Sequence, residues 1–434
     1  MTITCKFGGT SLADANQVKK VNNIINDNKE RRYIVVSAPG KRDKKDIKIT
    51  DLLYHLYKMA EDNMDYTDTL NKIKDRYNRI IKELNLNLDL EDEYKIIVEE
   101  LEKGTTPDYI ASRGEYLMGK IMAKYLNAQF IEPQNSIFIT GEGKLKEITY
   151  EILGNLLKRD GLFVVPGFYG AGPNNLIKTF SRGGSDVTGS IVARATSSSL
   201  YENWTDVSGF HMADPNIIPD AKPMKEVSYR ELRELAYMGA TVLHDEAIFP
   251  VREKNIPIRI KNTNEPQAEG TLIVGNRDYR NTPVIGIAGR KNFSMVYIEK
   301  ALMNKEKGFG RRLLAIVESH DISFEHTPTS IDSMCVIMSD SELKDKGEDL
   351  LDDIQRVFQP DRVELIKNLA LIATVGEGMV YRVGTAARLF GAVSRAGVNI
   401  RVINQGASEL NIIIGIENKD FENAVKAIYY EFIK

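Results

Sequence analysis

Short apolar runs alternate with stretches of helical spacing along the first half of the chain. Val18, Val21, Ile24 and Ile25 recur at three- and four-residue intervals and predict one face of a helix. The run Tyr33–Gly40, YIVVSAPG, predicts a buried strand that ends in a turn. Ahead of both, Ile3–Phe7 reads as a strand leading into Gly8-Gly9-Thr10-Ser11 and a helix start. Strand, helix, strand is the order of βαβ units, so the fold class is α/β, with a largely parallel sheet between helices. Residues 41–111 interrupt the order with a charged, Tyr- and Lys-rich stretch that keeps the i, i+3, i+4 apolar spacing, which predicts a helical insertion outside the sheet. Strand-like runs return at Gln129–Thr140, Leu162–Gly170 and Ile256–Asn262, separated by loop-rich segments at Gly170–Gly184 and Asp206–Pro223.

After about residue 280 the pattern becomes a repeat. FSMVYIEKAL, the Gly-initiated helix GFGRRLLAIVESH, ISFEHTP and SMCVIMS are matched later by LALIATVGE, GTAARLFGAVSRAG, NIRVINQG and ELNIIIGI. Each copy reads strand, helix, two strands, helix, and the first closes as βαββαβ with RVELIKN. The second ends in the helix FENAVKAIYYEFI with no strand left, so PVIGIAG (Pro283–Gly289) is expected to supply one. The expected division is therefore 1–280 for the first domain and 281–434 for a pair of modules, with about 291–367 inserted between 281–290 and 368–434.

Composition narrows the function. At 434 residues the chain has room for two or three domains. Its 58 basic and 61 acidic side chains nearly balance, and no basic stripe is interleaved with aromatics, so neither nucleic acid nor an anionic membrane is an expected partner. Cys5 and Cys335 both lie in apolar strand-like runs and offer no disulfide framework or cysteine-rich zinc site, which suits a reducing cytoplasm. None of the five histidines (His55, His211, His244, His320 and His326) has metal-ligand spacing, so no protein metal site is expected. The N-terminus lacks a basic region followed by an apolar one, and no run approaches about 18 apolar residues. A soluble, cytoplasmic protein is expected.

Four polar stretches carry candidate chemistry. In KFGGTS, Gly8 and Gly9 let backbone N–H groups approach an anion, Thr10 and Ser11 can cap the next helix, and Lys6 stands beside them as a point charge. Alone, this fits a tight turn as well as a phosphate cradle. SRGGSDVTGS (Ser181–Ser190) opens another helix and adds Arg182, whose fork suits a carboxylate or phosphate, and Asp186, which suits an ammonium group. A site needing both signs suggests an amino acid. In ASRGEYLMGK, Glu115 reads either as a second ammonium partner or as an ordinary charge in the first turn of a helix. WTDVSGFHMADPN (Trp204–Asn216) fits a nucleotide contact or a surface loop with Asx turns.

In their order KFGGTS, SRGE, GFYG, SRGGSD, WTDV with a following ADP, and GATVLH resemble the aspartokinases of the amino acid kinase family, from Lys6 to about residue 275. The paired modules resemble the ACT modules that regulate them. The resemblance implies transfer of the γ-phosphoryl group of ATP to the β-carboxylate of L-aspartate, the first step toward lysine, threonine and methionine. Lys6 would neutralise the moving phosphoryl group, with Gly8, Gly9 and Thr10 approaching it through the backbone. Arg182 would hold the substrate α-carboxylate, Glu115 and Asp186 its ammonium group, and Ser37, Thr50, Phe168 and Ser185 would line the aspartate pocket. Thr205, Asp206 and the neighbouring His211 would meet the adenosine. Mg²⁺ would be held by phosphates and water. The chain departs from the family where His211, Asn216 and Thr241 replace a usual tyrosine, arginine and lysine, leaving Lys222 and Lys225 as nearby cations.

The ACT resemblance implies a homodimer or tetramer and an amino-acid inhibitor, lysine first and threonine second. Met303, Glu325, Thr329 and Ser330 would contact it, with Ile331 where an acidic residue is usual. The long helical insertion and the lack of an appended dehydrogenase favour the monofunctional, lysine-controlled class. Two alternatives remain, namely another amino acid kinase and an amino-acid sensor with a weak or inactive kinase half.

Overall fold

The computed structural model describes residues 1–181, 183–240, 243 and 245–433. The chain forms two compact units. One comprises Met1–Phe210, Pro223–Tyr229 and Val242–Arg277, and the other His211–Lys222, Arg230–Thr241 and Asp278–Lys434.

The strands of the first unit are β1 (Ile3–Phe7), β2 (Arg31–Val36), β3 (Gln129–Phe130), β4 (Phe163–Pro166), β5 (Tyr169–Ala171), β6 (Ile177–Thr179), β7 (Leu200–Thr205), β8 (Glu226–Ser228), β9 (Ile258–Asn262) and β10 (Thr271–Val274). Eight of them form one sheet in the order β3-β4-β2-β1-β7-β9-β10-β8. Every neighbouring pair is parallel except β9 and β10. β5 and β6 form a separate antiparallel hairpin that starts in the strand-like run ending at Gly170 and continues into the segment Gly170–Gly184, which reads as loop in the sequence.

All five residues of β1 are buried, as a central parallel strand covered on both faces requires, and Lys6 is the one charge among them. Helix α1 (Ala15–Asn26) starts where the Asp14 carboxylate accepts a hydrogen bond from the Gln17 N–H, and it buries Val18, Val21, Ile24 and Ile25. Helices α2 (Ile49–Glu61), α3 (Thr67–Glu83), α4 (Glu91–Glu102) and α5 (Pro107–Tyr125) follow. Their buried residues, among them Leu53, Tyr77, Ile97 and Leu117, join those of β1, β2 and α1 in one apolar core. Helices α6 (Ile148–Leu157) and α7 (Gly184–Ala195) also belong to this unit. α7 follows Gly183, which has a left-handed φ of 61° that glycine adopts without cost.

Two sequence expectations change here. Gln129–Thr140 is not one strand, because Pro133 opens a short 3₁₀ turn and only isolated bridges at Phe138 and Ile139 follow the two residues of β3. Leu162–Gly170 splits into β4 and β5 at Gly167 and Phe168, where Phe168 has a φ of 80°.

The chain continues through α8 (Tyr229–Tyr237) and α9 (Phe249–Arg252). The second unit then contains β11 (Gly286–Glu299), α10 (Phe309–Ser319), β12 (Ser333–Ser339), α11 (Asp340–Leu343), α12 (Gly347–Phe358), β13 (Arg362–Val375), α13 (Thr385–Arg395), β14 (Val402–Asn404), β15 (Asn411–Glu417) and α14 (Phe421–Phe432). One antiparallel sheet runs β12-β11-β13-β15-β14. PVIGIAG and FSMVYIEKAL contribute to a single strand of 14 residues, as do RVELIKN and LALIATVGE. Gly286–Lys291 pairs with Ala370–Val375, while Phe293–Glu299 pairs with the earlier part of β13 and with β12. The register shifts between these halves, where Asn292 and Asn368 have φ of 71° and 64°, values that asparagine tolerates better than most residues. ISFEHTP forms no continuous strand. Within it only His326 bridges to β12, and a second single bridge follows from Thr329, just past Pro328, which lacks an N–H. Among the described residues no helix is long and apolar enough to cross a membrane.

Candidate active site

Parallel α/β sheets bind ligands at the carboxyl ends of their strands. Gly8–Thr10 follow β1, Ser37 follows β2, Phe168 lies two residues beyond β4 and Thr205 ends β7. Because β4, β2, β1 and β7 are neighbours in that order, the sheet brings these residues to one rim.

The turn after β1 is built by close backbone packing. Gly8 N–H donates to the Trp204 carbonyl at 2.9 Å, and Gly40 N–H to the Gly9 carbonyl at 2.8 Å. A Cβ on Gly9 would lie 2.9 Å from the Ala38 carbonyl oxygen, and one on Gly40 would lie 2.6 Å from the Gly9 carbonyl carbon. The two glycines are therefore needed for approach, since Gly8 itself is ordinary extended backbone at φ −71°. Ser37 N–H donates to the Phe7 carbonyl at 3.2 Å, which seats the second strand end against the first.

Beneath this turn Lys6 is buried, and its Nζ lies 2.5 Å from Asp186 Oδ1. Asn203, which faces Lys6 across the β1–β7 pairing, accepts from Nζ at 3.4 Å and donates from Nδ2 to the same Asp186 oxygen at 2.9 Å. The sequence reading missed Asn203. Its signal is a polar residue inside the buried strand run YENWT, beside the lysine.

Glu115 does not start a helix. It is the ninth residue of α5, which begins eight residues earlier where Thr106 caps the Tyr109 N–H and Pro107 takes the first turn. The first-turn reading is therefore overturned by the earlier Thr-Pro start. The side chain is 4% exposed. Its Oε2 has no hydrogen-bond partner among the described residues. Burial pushes the carboxyl up to about 8, against the opposing pull of a backbone hydrogen bond from Ala38 and of the Lys6 cation.

Ser185 and Asp186 occupy the first turn of α7, with Ser185 buried and Asp186 partly so. Phe168 N–H donates to Thr188 Oγ1 at 3.0 Å, which locks the aromatic residue in its left-handed conformation over the start of α7. Thr50 is the second residue of α2, whose Ile49 N–H donates to the Pro39 carbonyl at 3.2 Å. Thr205 Oγ1 donates to Asp206 Oδ1 at 3.2 Å, and Asp206 is exposed. His211 falls in the second unit. Asn216 is spent locally, its Nδ2 donating to Asp214 Oδ1 at 2.9 Å. Arg182 and Thr241 lie outside the described residues. Among the described residues no three His, Cys, Asp or Glu side chains group as metal ligands.

In the second unit Met303 is buried and Thr329 and Ser330 are exposed. Ser330 N–H donates to the Ser333 carbonyl at 2.7 Å, and Asn304 N–H to the Ile331 carbonyl at 3.2 Å, so Met303 and this turn are neighbours. Glu325 lies further along, opposite Ile337, with both carboxylate oxygens engaged. Arg290 Nη2 donates to one at 2.9 Å and the Tyr237 hydroxyl to the other.

A lysine and paired glycines end the central strand with a buried carboxyl beside them, an arrangement that suits a phosphate next to an ammonium group. The sequence pattern of the amino acid kinase family matches residues 1–262, and that of the ACT domain matches 372–432. Aspartokinase 3 of Bacillus subtilis is 39% identical, the alignment covering 98% of each chain. The crystal structure of Clostridium acetobutylicum aspartate kinase is 48% identical and superposes with a TM-score of 0.94 over 99% of both chains. Escherichia coli aspartokinase III, crystallised with lysine and aspartate, is 25% identical with a TM-score of 0.79 over 100% of both chains. The chain belongs to the amino acid kinase family, among its aspartokinases.

Proposed function

We propose that the chain transfers the γ-phosphoryl group of ATP to the β-carboxylate of L-aspartate, giving ADP and 4-phospho-L-aspartate. The observation that carries this reading is the buried, unpartnered Oε2 of Glu115 beside Lys6 and the Gly8-Gly9 turn. A carboxyl left without a donor suits an ammonium group, and the neighbouring lysine and backbone suit a phosphate.

The acceptor carboxylate is ionised at neutral pH and needs no general base, so catalysis rests on positioning and charge neutralisation. Asp186 and Asn203 aim Lys6, and the nucleotide's phosphates take the cation over when they bind. Gly8, Gly9 and Thr10 present the turn to the same phosphates. Glu115 receives the aspartate ammonium with Asp186 near it, Arg182 receives the α-carboxylate, and Ser37, Thr50, Phe168 and Ser185 line the pocket. Thr205, Asp206 and His211 are assigned to the nucleotide. The donor set fits a Mg²⁺ held by phosphates and water, which would neutralise phosphate charge.

We further take residues 1–280 as the catalytic domain and 281–434 as two ACT modules, with 291–367 inserted. The modules would assemble a homodimer or tetramer in the cytoplasm and bind lysine, with threonine as second choice, at Met303, Glu325, Thr329 and Ser330. The lysine complex of the Escherichia coli relative supports that order.

The deciding assay is ATP-dependent acyl-phosphate formation from L-aspartate, trapped with hydroxylamine, with and without lysine or threonine. Turnover lost on adding lysine supports both halves of the proposal, and turnover indifferent to lysine removes lysine as effector. No turnover alongside clear lysine binding turns the protein into a sensor.

A further inference from the structure

The segment between Ser37 and Thr50, rich in lysine and arginine, is tied down by one buried side chain. Arg76 on α3 is 6% exposed. Its Nη1 donates to the Gly40 carbonyl at 3.0 Å, and its Nη2 to both Asp46 carboxylate oxygens at 2.8 and 2.7 Å. Gly40 is the residue whose backbone packs on Gly9 and Thr10 too closely to admit a Cβ. Asp46 is gripped a second time by Arg42, whose guanidinium meets it at 2.8 and 3.0 Å. These hydrogen bonds hold the Asp46 carboxyl well below the usual carboxylate range, so it stays ionised at any working pH.

We propose that Arg76 is a positioning residue for phosphoryl transfer, fixing the Gly40–Asp46 segment so that the turn at Gly9-Thr10 and the start of α2 at Thr50 keep their catalytic geometry. The inference rests on the phosphotransfer reading above. Arg76 touches neither substrate, and acts through the Gly40 carbonyl at one end of the segment and Asp46 at the other. A planar fork satisfies three acceptors at once, which a lysine ammonium cannot do in the same geometry. The chemistry depends on that hold because small displacements of a positioned group are costly to rate, about 100-fold for about 1 Å.

The test compares Arg76→Gln and Arg76→Lys with the wild type by steady-state kinetics, thermal melting and limited trypsin digestion. Lys41, Arg42, Lys44 and Lys45 make the held segment its own protease reporter. The expected result for Arg76→Gln is a kcat lowered about 10- to 100-fold and faster cleavage confined to residues 41–48, with Arg76→Lys in between. An unchanged cleavage rate, or a kcat within about twofold of wild type, overturns the proposal. A loss of activity that only tracks the folded fraction overturns it too. Should Arg76→Gln not fold, Asp46→Asn keeps the guanidinium, removes its charge partner and carries the same expectations. If the wild type shows no turnover the phosphotransfer reading fails, and the protease pattern still decides whether Arg76 holds the segment.

Discussion

At the scale of single residues the site is organised by two carboxyls kept in different states. Asp186 is paired with Lys6 at 2.5 Å, whereas Glu115 is sealed away with one oxygen unmatched. Lys6→Ala should lower kcat by about 10²- to 10³-fold, as loss of one charge-stabilising donor does, with little change in KM for aspartate. Steady-state kinetics check this, and a near-normal kcat would remove Lys6 from the transfer step. Glu115 makes a prediction in pH. Below its ordinary value of 4.5 the acid is protonated in folded and unfolded chains alike, but between 4.5 and about 8 only the unfolded chain ionises, so the side chain draws stability down as pH rises through that window. Glu115→Gln cannot titrate, and its stability relative to wild type should therefore climb across the same window in urea melts. Aspartate binding should expel the Glu115 proton, raising KM as pH falls by up to about tenfold per unit, and the glutamine variant should show a high but flat KM. A slope that survives the substitution would place the ammonium elsewhere. The place of Lys6 and the glycines at the end of β1 was legible because a strand running into paired glycines is a local sequence pattern. The state of Glu115 was not, because it depends on how α5 packs.

At the scale of elements the glycines act through fit between segments. Gly40→Ala puts a methyl group 2.6 Å from the Gly9 carbonyl carbon and 2.8 Å from the Thr10 amide nitrogen, both backbone atoms that cannot swing aside. Such overpacking should cost about 1–3 kcal/mol in chemical denaturation and weaken ATP use more than aspartate use, since the turn at Gly9 is what gives way. Normal stability with normal KM values would show that the two segments separate freely. Elements carried by strong periodicity were readable in advance, α1 from Val18, Val21, Ile24 and Ile25 and α14 from FENAVKAIYYEFI. Those set by partners were not. PVIGIAG and FSMVYIEKAL read as two strands because Arg290, Lys291 and Asn292 break the apolar run, yet pairing to β13 on either side carries one strand through them, with a register shift at Asn292. Glu115 was misplaced for a related reason, since the Thr106-Pro107 start lies ahead of the SRGE motif.

At the scale of the whole chain, a repeat in the sequence becomes a shared sheet. β11 and β13 each serve both halves of the second unit, so a ligand that shifts one half bears on strands that continue into the other. α8 sits in the same unit through named contacts. Glu377 N–H donates to Glu231 at 2.8 Å, Asn411 Nδ2 donates to Glu234 at 2.5 Å, and Tyr237 donates to Glu325. Along the chain, α8 follows directly from β8, a strand of the kinase sheet. An effector inhibits only if it binds one state better than another, and a contact present in one state alone sets part of that difference. Glu325 is the residue where the proposed effector site meets α8, and its carboxylate is already shared between Arg290 and Tyr237. A lysine ammonium would compete for it. Tyr237→Phe removes one of the two competitors and leaves the Lys6 and Glu115 site untouched. The variant should therefore keep the wild-type kcat while shifting the lysine concentration for half-inhibition about 5-fold or more, the scale of a single coupling contact. Lysine titrations of acyl-phosphate formation measure that shift directly. An unmoved midpoint would take Tyr237 and Glu325 out of the coupling, and a moved midpoint with a fallen kcat would mean that α8 serves the catalytic state itself.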